Sequence, residues 1–266
     1  MRADLALVER GLARSRSQAA SLISAGRVLV NSQPCRKASQ TVEDDAKVVV
    51  LDAVDFVSRA GHKLAQALVD FGELDLVGKR ALDVGASTGG FTDVLLRGGV
   101  SSVVAIDVGH DQMVPELREN SRVTCIEGFN ARELSRQSLA EAGVADCDFD
   151  VVVADLSFIS LTLVLEQIVA TAPKADLVLL VKPQFEVGKQ SLSASGVVNH
   201  HGLRAKAIHQ VVDFANSLGC GIRGLVRSSL IGTHGNIEYV LWISPQEPQN
   251  SGQWTDRIDL LAKEAK

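Results

Sequence analysis

The run Leu82-Asp83-Val84-Gly85-Ala86-Ser87-Thr88-Gly89-Gly90-Phe91 passes from an apolar strand pattern through glycines into a helical pattern. Glycines at such a turn permit positive φ and let a ligand approach the backbone closely. A Walker loop needs Gly-Lys-Ser/Thr, and no lysine follows here. A dinucleotide fingerprint needs Gly-x-Gly-x-x-Gly, and Ser87 stands where its second glycine belongs, so the match is imperfect. The third reading is a loop for S-adenosylmethionine (SAM). That ligand has no pyrophosphate to cradle, and it carries an amino-acid end that Asp83 can help position. Asp107, which closes Val103-Val104-Ala105-Ile106-Asp107 and precedes Val108, can accept both ribose hydroxyls of an adenosine. It serves NAD and SAM equally. Asn130, in Glu127-Gly128-Phe129-Asn130, stands where a third strand ends and an adenine edge would lie.

A second set of residues ends or opens other strand patterns. Asp155 follows Val153-Ala154, Lys182 follows Leu180-Val181, and Glu238 opens Glu238-Tyr239-Val240. Lys63 lies in Arg59-Ala60-Gly61-His62-Lys63, on a helical pattern ahead of the sheet. Open α/β sheets hold ligands at the carboxyl ends of their strands, so Asp155 and Lys182 are expected to meet there. A lysine directly against a long apolar run is unusual, because lysine is seldom buried unpaired. His62 and His234 are expected as loop or packing residues. His200 and His201 lack a further ligand at metal spacing, so no metal is assigned.

Positioning these groups needs an alternating strand and helix framework. After Gly78 the candidate strands are 80–84, 102–107, 123–127, 149–154, 176–181, 221–226 and 238–243, and helices open near residues 90, 112, 135, 160 and 204. Such alternation predicts a parallel sheet covered on both faces. The last two strands lack a long intervening helix, which predicts an antiparallel hairpin. Residues 54–60 are expected as a linker, 61–245 as the sheet domain, and 246–266 as a tail with a terminal helix.

The 266 residues carry a net charge of −5, which alone argues against a polyanion binder, yet residues 1–40 are net +5. A basic module on an acidic body points to a local polyanion site. Within residues 1–53 the pattern is helix 4–12, a second helix after Ser15 with Gln18 completing a capping box, strand 28–30, a turn, and strand 47–51. Apolar runs fall short of the ~18 residues of a membrane span. Cys35, Cys125, Cys147 and Cys220 are scattered without Cys-x-x-Cys, so a reducing cytoplasm is expected.

Two resemblances follow from these residues. Arg14-Ser15-Arg16, Ala25-Gly26-Arg27-Val28 and Val30-Asn31 resemble the RNA-binding domain of ribosomal protein S-four. That resemblance implies RNA-backbone contacts by Arg2, Arg14, Arg16, Arg27 and Lys37. Asp83 to Phe91, Ala154 to Leu161, Leu180 to Lys189 and Gly235 to Tyr239 resemble the TlyA proteins, with FtsJ-like ribose methyltransferases as wider relatives. The resemblance covers about residues 1–244. It implies a Rossmann-like methyltransferase sheet, SAM as cofactor, and methyl transfer to a cytidine 2′-hydroxyl in ribosomal RNA.

It also implies a Lys-Asp-Lys-Glu tetrad, here Lys63, Asp155, Lys182 and Glu238, with Asp155 beside the cofactor as well. In that set Lys182 is expected to take the hydroxyl proton. Lys63 is its neighbour, and the two carboxylates hold the amines. Carboxylates also favour a charged lysine, which leaves an orienting role for Lys182 open. The expected partners are the 50S subunit through 23S rRNA, with the 30S subunit and its 16S rRNA as an open second target. No membrane is expected, and a monomer is expected. A pore-forming haemolysin would need a membrane-inserting segment. A non-catalytic ribosome factor would need neither Lys182 nor the glycine loop, and an NAD oxidoreductase has no use for the basic module. Asp55-Phe56-Val57-Ser58 departs from the Arg-Ala-Trp-like linker of some relatives.

Overall fold

Small residues decide the first helix. Ala3, Ala6 and Leu7 bury one face of α1 (Ala3–Glu9), and Gly11 at φ 68 then reverses the chain, so that Leu12 N–H bonds back to Leu7 at 2.8 Å. The helix therefore stops short of the expected residue 12. The computed structural model describes residues 1–13, 15–24, 27–31, 33–50, 56–232 and 234–264. These fall into two units, Met1–Asp55 and Phe56–Lys266.

In the first unit, Ser15 Oγ accepts the Gln18 N–H at 3.2 Å and caps α2 (Arg16–Ser24). β1 (Val28–Val30) pairs antiparallel with β2 (Gln33–Pro34) and with β3 (Val48–Val50). The two-residue β2 lacks the alternation that would announce a strand, and its Pro34 is tolerated because β2 is an edge. Ala19, Ile23, Val28, Cys35 and Val42 close the core against α1.

The second unit begins earlier than expected. Phe56 and Val57 pack on its core, and Val57 N–H bonds Asp93 at 3.1 Å, so 56–60 are part of this unit. Residues 51–55, which include the start of the expected linker, lie outside the described residues. α3 (Arg59–Phe71) leads into β4 (Arg80–Val84), α4 (Gly90–Arg97), β5 (Ser102–Asp107), α5 (Pro115–Arg118), β6 (Val123–Glu127) and α6 (Arg136–Glu141). Then come β7 (Val151–Ala154), α7 (Leu165–Thr171), β8 (Asp176–Val181), α8 (Pro183–Glu186), α9 (His201–Ser217), β9 (Gly221–Arg227), β10 (Tyr239–Ser244) and α10 (Thr255–Lys263). The expected α/β class holds, and α10 supplies the expected terminal helix.

The sheet order is β6-β5-β4-β7-β8-β10-β9. All neighbours from β6 to β8 are parallel, and β10 is antiparallel to both β8 and β9. The hairpin expected for the last two strands is present, but it does not simply extend the sheet. β10 inserts between β8 and β9. Strand side chains alternate between faces, which divides the core into two layers. Leu82, Val104, Val152, Leu179 and Leu241 pack with Ile168, Ile208, Val211 and Ile258 of α7, α9 and α10. Ala81, Val103, Val153, Leu180 and Trp242 pack with Leu64, Phe91 and Leu95 of α3 and α4. Both faces are buried, which is why these strands read as continuous apolar runs.

Candidate active site

β4 lies between β5 and β7, so the chain turns to opposite sides of the sheet on either side of it, the place where open α/β sheets form a ligand crevice. The turn after β4 opens there. Gly85 (φ 85) and Gly89 (φ 95) use the left-handed region, and so does Ser87 (φ 46), which as a non-glycine needs support. Its N–H bonds Asp107 Oδ2 at 2.8 Å and its hydroxyl bonds Gln112 Oε1 at 2.9 Å. A Cβ on Gly85 would come 2.9 Å from the Asp155 carbonyl and from Leu156, so the bare backbone lets the chain after β7 lie against the turn. A Cβ on Gly61 would lie 3.0 Å from the Gly90 carbonyl, and the close approach of these two glycines sets α3 beside α4. That contact brings Lys63 to the mouth of the turn.

The other groups arrive by sheet geometry. Asp155 and Lys182 follow the adjacent parallel strands β7 and β8. Tyr239 is in register with Val181, so the residue before antiparallel β10, Glu238, comes level with Lys182. Lys63 Nζ lies 2.5 Å from Glu238 Oε2, and Lys182 Nζ lies 2.6 Å from Asp155 Oδ1. The second contact is Coulombic rather than an aligned hydrogen bond. The aligned bond of Lys182 goes to Ser157 Oγ at 2.9 Å. Gln184 Nε2 reaches toward Glu238 Oε1 at 3.5 Å. Lys182 and Glu238 are buried, 8% and 3% exposed. Gly232 leaves room for Glu238, since a Cβ there would fall against its carboxylate.

Beneath the turn, Asp83 is wholly buried and accepts the Thr92 hydroxyl at 2.7 Å, while its Oδ1 has no partner. Burial, with the charges of Asp155 and Asp107 adding to it and the bond from Thr92 opposing, raises its carboxyl to about 7. Asp107 also accepts Gly109 N–H at 2.7 Å, so backbone donors fix both of its oxygens. Glu127 is held down to about 2 by the Asp111 N–H, by the Arg118 guanidinium and by the Gln112 N–H, against a counteracting desolvation. It thereby anchors the loop that clasps Ser87.

A cavity of about 900 Å³ joins these parts. Lys63, Gly85, Ala86, Ser87, Thr88, Gly90, Phe91, Asp155, Lys182 and Glu238 all line it. Asp83 and Gly89 support the turn from behind rather than face the cavity. Asp107 lies beside it, and Val108 is 70% exposed outside its lining. Asn130 does not reach the cavity. It caps the following 3₁₀ turn by accepting the Arg132 N–H and donating to Glu133. The pattern reading missed Ser58, Arg59, Ser157, Phe158, Gln184, Phe185 and Asn236, and His234, set aside as a loop residue, also lines the wall. Phe158 is 90% exposed at φ 65, with its ring 5.3 Å from that of Phe185. No helical or strand period marks an aromatic placed that way.

The donor set suits a cation-bearing nucleoside. A carboxylate at the end of β5 stands beside the turn for ribose hydroxyls, and a second, Asp155, lines the cavity. In the first unit, Asp4 is buried and grips both Arg2 (2.9 Å) and Arg16 (2.9 Å), which hold its carboxyl well below the usual range. Arg27 is half-buried and Lys37 exposed, and Arg14 lies outside the described residues. No helix among the described residues is long and apolar enough to cross a membrane.

Comparison with known proteins shows the family. An FtsJ-like methyltransferase family model matches residues 56–244 and an S4 domain model matches residues 1–48. The 16S/23S rRNA (cytidine-2′-O)-methyltransferase TlyA of Mycobacterium tuberculosis is 46% identical over 92% of this chain and 90% of its own length. The 23S rRNA (cytidine-2′-O)-methyltransferase TlyA of Campylobacter jejuni is 34% identical over 74% of this chain and 73% of its own. A solved structure from Streptococcus thermophilus, described as a hemolysin, superposes with a TM-score of 0.73 at 33% identity, covering 98% of this chain and 94% of that one. The chain belongs to the TlyA family of FtsJ-like methyltransferases.

Proposed function

We propose that this protein transfers a methyl group from S-adenosylmethionine to a cytidine 2′-hydroxyl of 23S ribosomal RNA in the 50S subunit, acting as a monomer. The observation that carries the reading is the pair of lysine–carboxylate contacts, Lys182–Asp155 and Lys63–Glu238, set beside the glycine turn in one cavity. When bound, SAM supplies an electrophilic methyl on a sulfonium sulfur. The chain's part is to handle the acceptor. A ribose hydroxyl is a weak nucleophile and must lose its proton as its oxygen forms the new bond. Lys182 Nζ is assigned to receive that proton, and Asp155 at 2.6 Å stabilises the ammonium so formed. Lys63, held by Glu238, is assigned as the fixed cation beside it. The exposed ring of Phe158 offers a stacking face for the base whose sugar reacts. The S4 unit supplies the phosphate-binding cations.

The test is transfer of radiolabelled methyl to isolated 50S and 30S subunits by the wild-type protein and by Lys182→Ala. Label is expected in 23S rRNA, with a loss on the order of 10²- to 10⁴-fold in the variant. Label that persists in Lys182→Ala would remove its assigned role. Label on neither subunit would favour a binding factor without chemistry. Label on the 30S subunit as well would extend the substrate to 16S rRNA, as for the Mycobacterium 16S/23S relative rather than the Campylobacter 23S one.

A further inference from the structure

We infer that Ser157 is a positioning residue for the reaction, acting by fixing the direction of the Lys182 amine. The inference rests on the assignment of Lys182 above. An ammonium or amine turns about its last bond, and an ionic contact that lies off the hydrogen-bond direction restrains that rotation less than an aligned bond does, because a hydrogen bond is directional. Among the described residues, the aligned bond of Lys182 Nζ is the one to Ser157 Oγ, at 2.9 Å, whereas Asp155 approaches at 2.6 Å without alignment. With one tetrahedral direction pinned on Ser157, the remaining directions are set, and Lys182 lines the cavity.

The placement of Ser157 is itself determined. Asp155 and Leu156, which precede it, lie against the bare backbone of Gly85, and the chain leaves it through Phe158 at φ 65. Ser157 lines the same cavity and is exposed to it, so an added methyl there meets open space rather than packed core. The hydroxyl, not the side-chain bulk, is therefore the feature that matters.

The test uses the full-length protein with 50S subunits and SAM. Ser157→Ala, Ser157→Thr and Lys182→Ala are compared for kcat, for KM toward the subunit, for donor affinity by calorimetry and for thermal melting. The expected result is a roughly tenfold lower kcat in Ser157→Ala, the scale of one lost hydrogen bond. KM and donor affinity should stay within about twofold, melting should be unchanged, and Ser157→Thr should recover most of the rate. An unimpaired Ser157→Ala beside an inactive Lys182→Ala would overturn this inference alone. So would a loss that appears in KM or donor affinity, or one that threonine does not restore. A fully active Lys182→Ala would bring down the parent reading together with this one.

Discussion

Water cannot reach the Asp83 carboxyl, and its neighbours Asp155 and Asp107 add negative charge, so the group keeps its proton up to about pH 7 in the folded chain. In the unfolded chain an aspartate releases its proton near pH 3.9. Between those values the folded state holds a proton that the unfolded state has lost, so stability falls as pH rises and levels off above about 7. Asp83→Asn keeps an acceptor for Thr92 and removes the titration. In urea denaturation of the donor-free protein, the wild-type stability minus that of Asp83→Asn should fall by about 2 kcal/mol between pH 5 and 7. A difference that does not change with pH would show that the group is already ionised in the fold. Asp83 was readable in the sequence as an acid near the end of a strand, but its protonation was not. That property depends on burial under α4 and on charges from β5 and β7, which sequence spacing does not bring together. Ser157 and Phe158 stood in a recognisable run without a role for the same reason, since the direction of Phe158 is set by a positive φ and that of Ser157 by its bond to Lys182.

At the scale of elements, one wall of the cavity comes from the segment 187–199, and a side chain from the loop before β10 ties it down beside the Arg204 contacts to Val198 and Asn199. Asn236 is 2% exposed, accepts the Val198 N–H at 2.8 Å and donates to the Gly196 carbonyl at 3.0 Å. Asn236→Ala leaves both backbone groups unpaired and is expected to raise KM for the 50S subunit several-fold while donor affinity holds. Steady-state kinetics against calorimetric SAM binding checks this, and a loss confined to SAM binding would place the wall elsewhere. Most element positions followed from apolar runs and glycine punctuation, and the strand bounds at Arg80–Val84 and Asp176–Val181 agree residue for residue. The position of β10 did not. Adjacency in sequence predicts that two strands pair, but not that the second will displace the first from the edge of β8. The short α5 was expected to open near Gln112, but Glu127 captures the N–H groups of Asp111 and Gln112 and delays the helix to Pro115.

At the scale of the whole molecule, a net charge of −5 hides the division of labour between the two units. In the first, Asp4 splays Arg2 and Arg16 from one buried carboxylate, so these two cations are oriented rather than loose. Arg16→Ala combined with Lys37→Ala should lower the slope of log affinity against log salt for ribosomal RNA by about 1 to 2, and SAM affinity should be unchanged. Filter binding across a series of KCl concentrations measures that slope. If it stays the same, those two side chains do not neutralise phosphates. The basic clustering was legible in the sequence because charge is additive, whereas the shared counter-ion was not, because Arg16 meets Asp4 only through the packing of α2 on α1.

The insertion of β10 also orders events in time. Translation delivers Lys63, Asp155 and Lys182 well before Glu238, and β9 emerges before the strand that will become its ladder partner. Until β10 leaves the exit tunnel, the flank of β8 is open and β9 has nothing to zip against, a state prone to mispairing. A ribosome-modifying protein built this way cannot complete its reacting centre until the segment carrying Glu238 and β10 has been made.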